Sequence, residues 1–168
     1  MIRELSTDDV AIYRDLRLQA LREHSEAFST SAEDFEQRSL ESIAQRLEPS
    51  PTQFTLGAFL GEAYVGSLTF VQEGRTKLRH RGHIYGMYVA PKARRQGVGQ
   101  TLLQETILRA NRMTQLKTIV LSVTVTNISA IKLYEATGFV KAWLEPRVIK
   151  IGEKYSDSLG MVLELSDR

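Results

Sequence analysis

Arg94-Arg95-Gln96-Gly97-Val98-Gly99 lies between two segments of different periodicity. Before it, residues 82–89 read Gly-His-Ile-Tyr-Gly-Met-Tyr-Val, and their aromatic and β-branched side chains predict a strand. After it, Val98, Leu102, Leu103, Thr106, Ile107 and Ala110 recur at helical spacing and predict a helix over residues 100–111. Strand, short loop and helix therefore meet at Gly97 and Gly99. Such a junction aims several backbone N–H groups at one spot, at the positive end of a helix dipole. Glycine, lacking a Cβ, lets the main chain approach a phosphate closely. The stretch reads as an anion site, with a pyrophosphate as the expected occupant.

Two common glycine-loop patterns fail here. A dinucleotide fingerprint needs a small residue where Leu102 stands, and an acidic residue roughly 20 positions further on, where Leu121-Ser122 offers none. A P-loop needs Lys-Ser/Thr after the last glycine, and Gln100-Thr101 follows Gly99. The pattern Arg94-x-x-Gly97-x-Gly99, after a strand ending Val89-Ala90-Pro91, resembles the pyrophosphate loop of the GNAT acyl-CoA N-acyltransferases. On its own it would also suit an ordinary strand-to-helix turn.

A second motif follows. Ile119, Leu121, Val123 and Val125 alternate with polar residues over 117–126 and predict a half-buried strand. Asn127 then caps a helix over residues 128–137 that Gly138 closes. Asn127, Ala130 or Ile131, and Tyr134 share one side of it, the two polar groups about 10 Å apart along the axis. Asn127-x-x-Ala130-x-x-x-Tyr134-x-x-x-Gly138-Phe139 is similar to the second acyl-CoA motif of the same family; alone it would equally describe a capped amphipathic helix with a core tyrosine.

Elsewhere, residues 2–5 read as a first strand, and Thr7 as the cap of a helix carried by Val10, Tyr13, Leu16, Ala20 and Leu21. Residues 24–35 read as a polar connection holding Phe28 and Phe35, and Ser39 as the start of a second helix that Pro49 and Pro51 end. Residues 54–59 and 63–71 form a predicted hairpin turning at Gly61-Glu62. The basic segment 74–81 leads into the strand at 82–89, and the tail reads as a hairpin of residues 148–151 and a strand through 161–165. This order matches the α/β (α+β) GNAT fold: a mixed, mostly antiparallel central sheet of about seven strands with helices on both faces. The resemblance covers essentially the whole chain and implies one acetyltransferase domain over residues 1–168.

Composition narrows the alternatives. The chain has 168 residues, 42% of them hydrophobic and 25% charged, and is long enough to bury a core. It contains no cysteine, which excludes disulfides, thiolate metal sites and a cysteine nucleophile, and suits a reducing cytoplasm. Residues 1–9 are too acidic and polar for a signal peptide, and no apolar run reaches membrane-spanning length, so no membrane partner is expected. A net charge of +2 is too small to argue for nucleic acid. Neither residue types nor spacing indicate a metal site.

The resemblance implies chemistry as well as fold: N-acetyl transfer from acetyl-CoA to an amine acceptor, by direct attack. It places the pyrophosphate on the amides of Arg95, Gln96, Gly97, Val98, Gly99 and Gln100, with Lys92, Arg94 and Arg95 adding positive charge. The pantetheine would pair with backbone at Met87, Tyr88 and Val89 and meet Asn127. Tyr134 is the implied general acid for the departing thiolate, being protonated at neutral pH. Many relatives carry a glutamate where this chain has His83, which makes His83 the candidate base, with Glu145 or a water chain as alternatives. His83 shares strand parity with Tyr85, Met87 and Val89 unless a bulge intervenes. The acceptor pocket is expected between residues 24 and 39 and the last hairpin, where Glu23, Glu26, Glu33, Asp34 and Glu36 form either a cue for a cationic amine or a solvated acidic face. Relatives often dimerise, so a homodimer is among the implied partners. Transfer to a peptide α-amine, a non-catalytic acyl-CoA-binding module and a nucleic-acid binder using residues 75–83 are the rival readings.

Overall fold

The structure is a computed structural model that describes residues 1–166. In chain order it contains β1 (Ile2–Glu4), α1 (Val10–Glu23), α2 (Ala32–Glu36), α3 (Leu40–Leu47), β2 (Gln53–Leu60) and β3 (Ala63–Gln72). There follow β4 (Arg81–Val89), α4 (Val98–Ala110), β5 (Thr118–Thr124), α5 (Ile128–Ala136), β6 (Val140–Ile151) and β7 (Lys154–Glu164). The strands form one mixed sheet in the order β1-β2-β3-β4-β5-β7-β6. Neighbours are antiparallel except β4 and β5, which run parallel. This is the fold that the two acyl-CoA-type motifs imply.

Local chemistry sets the element ends, in places differently from the sequence expectation. Ser6, not Thr7, is the first cap: its hydroxyl accepts from the Asp8 amide, and the Asp9 carboxylate accepts from the Ser6 amide. Residues 24–35 are not wholly irregular, since Ser31 caps the short helix α2 and Phe35 is buried on it. That burial also explains Leu18 and Leu21 of α1, which pack with Phe35 and Ile43, so α1 has apolar contacts on two sides. Strand β5 is buried on both faces rather than one. Strand β6 begins at Val140, well before the expected 148, because a bulge around Pro146 and Arg147 (φ +56°) interrupts the pattern without ending the pairing with β7. Its side chains are almost all exposed, as befits an edge strand.

The main core joins Leu16 and Ala20 of α1 to Leu56, Leu68 and Phe70 of the sheet, and those to Leu102 and Leu103 of α4. Gly82 marks how tightly β4 is fitted into it. A Cβ there would lie 2.3 Å from Cζ of Phe70, a fully buried ring that stacks on Phe54 at 5.1 Å. Gly82→Ala is therefore expected to lower stability by about 1–3 kcal/mol, read as a reduced denaturation midpoint at unchanged denaturant slope.

Candidate active site

Strands β4 and β5 pair only from Arg81↔Thr118 to His83↔Val120, and then separate. The separation coincides with an irregularity between β3 and β4: Thr69 pairs with Tyr85 but Ser67 with Tyr88, so Gly86 and Met87 together oppose one residue. Gly86 adopts φ +60°, a left-handed conformation that glycine accepts without strain. This bulge reverses the face of everything after it. Residues paired across a ladder share a face, so His83, Tyr85 and Tyr88 lie on one side, and Ile84 and Val89 on the other. The simple alternation expected for His83, Tyr85, Met87 and Val89 ends at Tyr85. Met87 and Val89 instead face α4, where a Cβ on Gly99 would meet them at 3.3 and 3.7 Å.

The splayed strands open a cleft of about 1360 Å³. His83, Met87, Tyr88, Val89, Arg94, Arg95, Gly97, Val98, Gly99, Gln100, Asn127 and Tyr134 all line it, so the two motifs converge on one space. Gln96 and Lys92 do not line it; the Gln96 side chain donates to the Lys92 carbonyl and closes the loop. Glu145 also lies outside the lining, on the exposed edge strand.

The loop before α4 is a concentrated donor surface. Arg95 (φ +59°) and Gly97 (φ +78°) are both left-handed, a backbone form that turns successive amides toward a common point. No side chain caps α4, whose first turn closes with the Thr101 amide on the Gly97 carbonyl. Among the described residues, the amides of Arg95 through Gln100 have no hydrogen-bond acceptor. Six consecutive free donors at a helix N-terminus suit an anion with several oxygens. Of the adjacent cations, Arg94 is turned inward: its Nε donates to the Val89 carbonyl at 2.9 Å, and its Nη2 lies 3.0 Å from Nε2 of His24.

Tyr134 is buried against the edge of Phe139, and burial pushes its phenol up to about 12. Its hydroxyl makes no hydrogen bond to protein among the described residues, although the residue lines the cleft. Asn127 caps α5 by accepting from the Ala130 amide at 3.3 Å. His83 stacks on Tyr85, and its Nε2 lies 3.3 Å from Oε1 of Glu73 in an alignment too poor for a hydrogen bond. Burial pulls His83 below the ordinary histidine value, Glu73 opposes that pull, and Arg81 adds to it.

Three features of the site escape the sequence patterns. Tyr88 donates to Glu23 at 2.5 Å, tying β4 to the end of α1. Glu73 stands beside His83. Arg17, from α1, reaches the bulge itself. Each contact joins distant parts of the chain, so no local spacing announces it. The acids of residues 23–36, by contrast, mostly face local partners or solvent: Glu36 pairs with Arg22, and Glu26 approaches His24 at 3.6 Å.

Known proteins share this fold. A family model described as "Acetyltransferase (GNAT) family" matches residues 13–139. A GNAT-family acetyltransferase from Streptococcus pneumoniae superposes with a TM-score of 0.88 at 26% identity, covering 99% of both chains. A GNAT superfamily phosphinothricin acetyltransferase from Sinorhizobium meliloti, solved in complex with acetyl-CoA, superposes with a TM-score of 0.83 at 19% identity. That alignment covers 98% of this chain and 88% of the other. The human protein N-alpha-acetyltransferase 30 is 37% identical over 84 residues, which are 50% of this chain but 23% of that protein. Its Dictyostelium discoideum counterpart is 38% identical over 95 residues, 55% of this chain and 48% of that protein.

Proposed function

The chain belongs to the GNAT acetyltransferase family, and from that premise we propose that it transfers an acetyl group from acetyl-CoA to a primary amine by direct attack. The observation that carries this reading is the row of six unpartnered amides at Arg95 to Gln100, opening onto the same cleft as the unpaired edge of β4. Those amides fit the pyrophosphate of acetyl-CoA, and Arg95 adds a cation beside it. Backbone at Met87 to Val89, not paired with β5, fits the pantetheine as an added strand, with the Val89 carbonyl already accepting from Arg94. Asn127 borders the same slot.

Acetyl-CoA supplies the thioester whose carbonyl carbon the amine attacks. In this reading His83 accepts the amine proton at Nδ1, directly or through water, with Glu73 beside the other ring nitrogen, the buried Nε2. The depressed pKa of His83 keeps Nδ1 unprotonated at neutral pH. Tyr134 faces the leaving sulfur. A phenol at about 12 would give up its proton uphill to a thiolate of ordinary pKa near 8.5. Burial therefore favours a hydrogen bond from Tyr134 to the developing negative charge over full proton transfer.

A second reading, transfer to the α-amine of a peptide, draws support from the relatives named N-alpha-acetyltransferase 30. We further propose a cytoplasmic protein with one domain over residues 1–168, a reading supported for the domain by the single seven-stranded sheet; among the described residues no helix is long and apolar enough to cross a membrane. The exposed apolar residues Val140, Leu144 and Ile151 on β6 support a homodimer.

Thiol release from acetyl-CoA, followed across pH with a panel of amines, tests the reading. At least one amine should accelerate release. With kcat/KM expressed per unprotonated amine, its acid limb should fall below about 6.5, since His83 loses activity only on protonation through a lowered pKa. His83→Gln should reduce kcat by about 10²-fold or more and remove that limb. Release that no amine accelerates would overturn the proposal.

A further inference from the structure

Cations outnumber acids along the cleft. Among the described residues, its whole lining carries Arg17, Arg38, Arg46, Arg81, Arg94 and Arg95, against one carboxylate, Glu26. Arg95 belongs with the phosphate loop, Arg94 is held by Val89 and His24, and Arg46 is exposed. Arg17 is different. Its guanidinium lies 4.5 Å over the Phe28 ring, and its buried Nη1 has no hydrogen-bond partner. A Cβ on Gly86 would lie 3.3 Å from that nitrogen, so the guanidinium rests against the β4 bulge, where the free edge of the strand begins. Arg38 lines the same wall, stacks on Phe35 and pairs with no acid among the described residues; its charge is close enough to disfavour that of Arg17. Two neighbouring arginines without a carboxylate leave an uncompensated positive site beside the position proposed for acetyl transfer.

We infer that Arg17, with Arg38, binds the carboxylate of the acceptor, which is a free amino acid or a close analogue with amine and carboxylate on one carbon. The inference rests on the acetyl-transfer reading and names its substrate class. A guanidinium recognises a carboxylate through paired N–H donors, and a buried, unpartnered one gains most from doing so. An amine one carbon away from that carboxylate is then held beside the bulge and the proposed thioester position. The acidic residues of 23–36 give no matching cue for a cationic acceptor, because within that run only Glu26 lines the cleft.

The test compares each amino acid of a panel with its own carboxamide as acceptor, by thiol release at fixed acetyl-CoA. The amide has the more readily deprotonated amine, so a preference for the acid cannot come from nucleophile availability. The preferred acid should exceed its amide in kcat/KM by about ten- to hundredfold, the range for loss of a hydrogen bond to a charged group. Arg17→Gln and Arg38→Gln should each raise KM for the acid and shrink that preference, with Arg17→Lys retaining part of it. The acetyl-CoA dissociation constant should stay unchanged in all three, which also reports that they fold. Amides or carboxylate-free amines that match the acids, or a preference unaltered by both glutamine variants, would overturn the inference. So would a wild-type protein that binds acetyl-CoA yet transfers to no carboxylate-bearing amine, an outcome that spares the cofactor assignment. Failure to bind acetyl-CoA removes both readings together.

Discussion

Gly97→Asp should weaken acetyl-CoA binding far more than Gly97→Asn, although the two side chains are nearly the same shape. Gly97 is the left-handed cap of α4 (φ +78°), and nothing lies within 4 Å of a Cβ placed there. Steric overlap is therefore not the issue. Both variants carry the same modest strain of a non-glycine residue in that conformation, which asparagine and aspartate tolerate best. They differ in charge. At an effective dielectric constant of 20, a carboxylate about 8 Å from one phosphate charge opposes it by roughly 2 kcal/mol, or about thirtyfold in affinity. Aspartate also competes for the amides that face the pyrophosphate. Calorimetric titration should give the asparagine variant a dissociation constant near that of the wild type, and the aspartate variant one at least tenfold weaker. Equal affinities would move the pyrophosphate away from this loop.

Tyr134→Phe should leave the fold and acetyl-CoA affinity nearly intact while lowering kcat by about 10²–10³-fold, as for loss of one hydrogen-bond donor at a developing anion. The hydroxyl has no protein partner among the described residues, so its removal should change stability by less than about 1 kcal/mol. The ring packing against Phe139 is kept. A phenol at about 12 stays protonated through the usable pH range, so Tyr134 should contribute no basic limb to the kcat profile. A phenylalanine variant with wild-type kcat, measured with acetyl-CoA and acceptor saturating, would give the tyrosine a packing role alone.

The glycine loop and the helix after it were legible because their signals are local. Gly97, Gly99 and the spacing from Val98 to Ala110 lie within one short segment, and α4 forms there. Asn127 and Gly138 likewise mark the ends of α5 directly. The bulge at Gly86-Met87 was not legible as such. A glycine inside a strand permits a bulge without requiring one, and only the pairing with β3 shows that Tyr88 joins the face of His83. Helix α2 is short enough that its few residues carry no usable period, and β6 is interrupted by a proline that an edge strand tolerates. Arg17 falls among the polar positions of α1 and carries no local signal. Its significance comes from the β4 backbone and Phe28, distant in sequence, and from a buried guanidinium nitrogen with no hydrogen-bond partner among the described residues.

Every role proposed for the site depends on the cleft between β4 and β5 binding acetyl-CoA. The most direct test is the thermal midpoint of the wild-type protein with acetyl-CoA, read beside coenzyme A and NAD. A ligand bound only by the native state adds about 2.7 kcal/mol of stability at a hundredfold excess over its dissociation constant. A clear rise is expected with acetyl-CoA, a rise with coenzyme A through the shared pyrophosphate and pantetheine, and none with NAD. No rise with millimolar acetyl-CoA would contradict that binding.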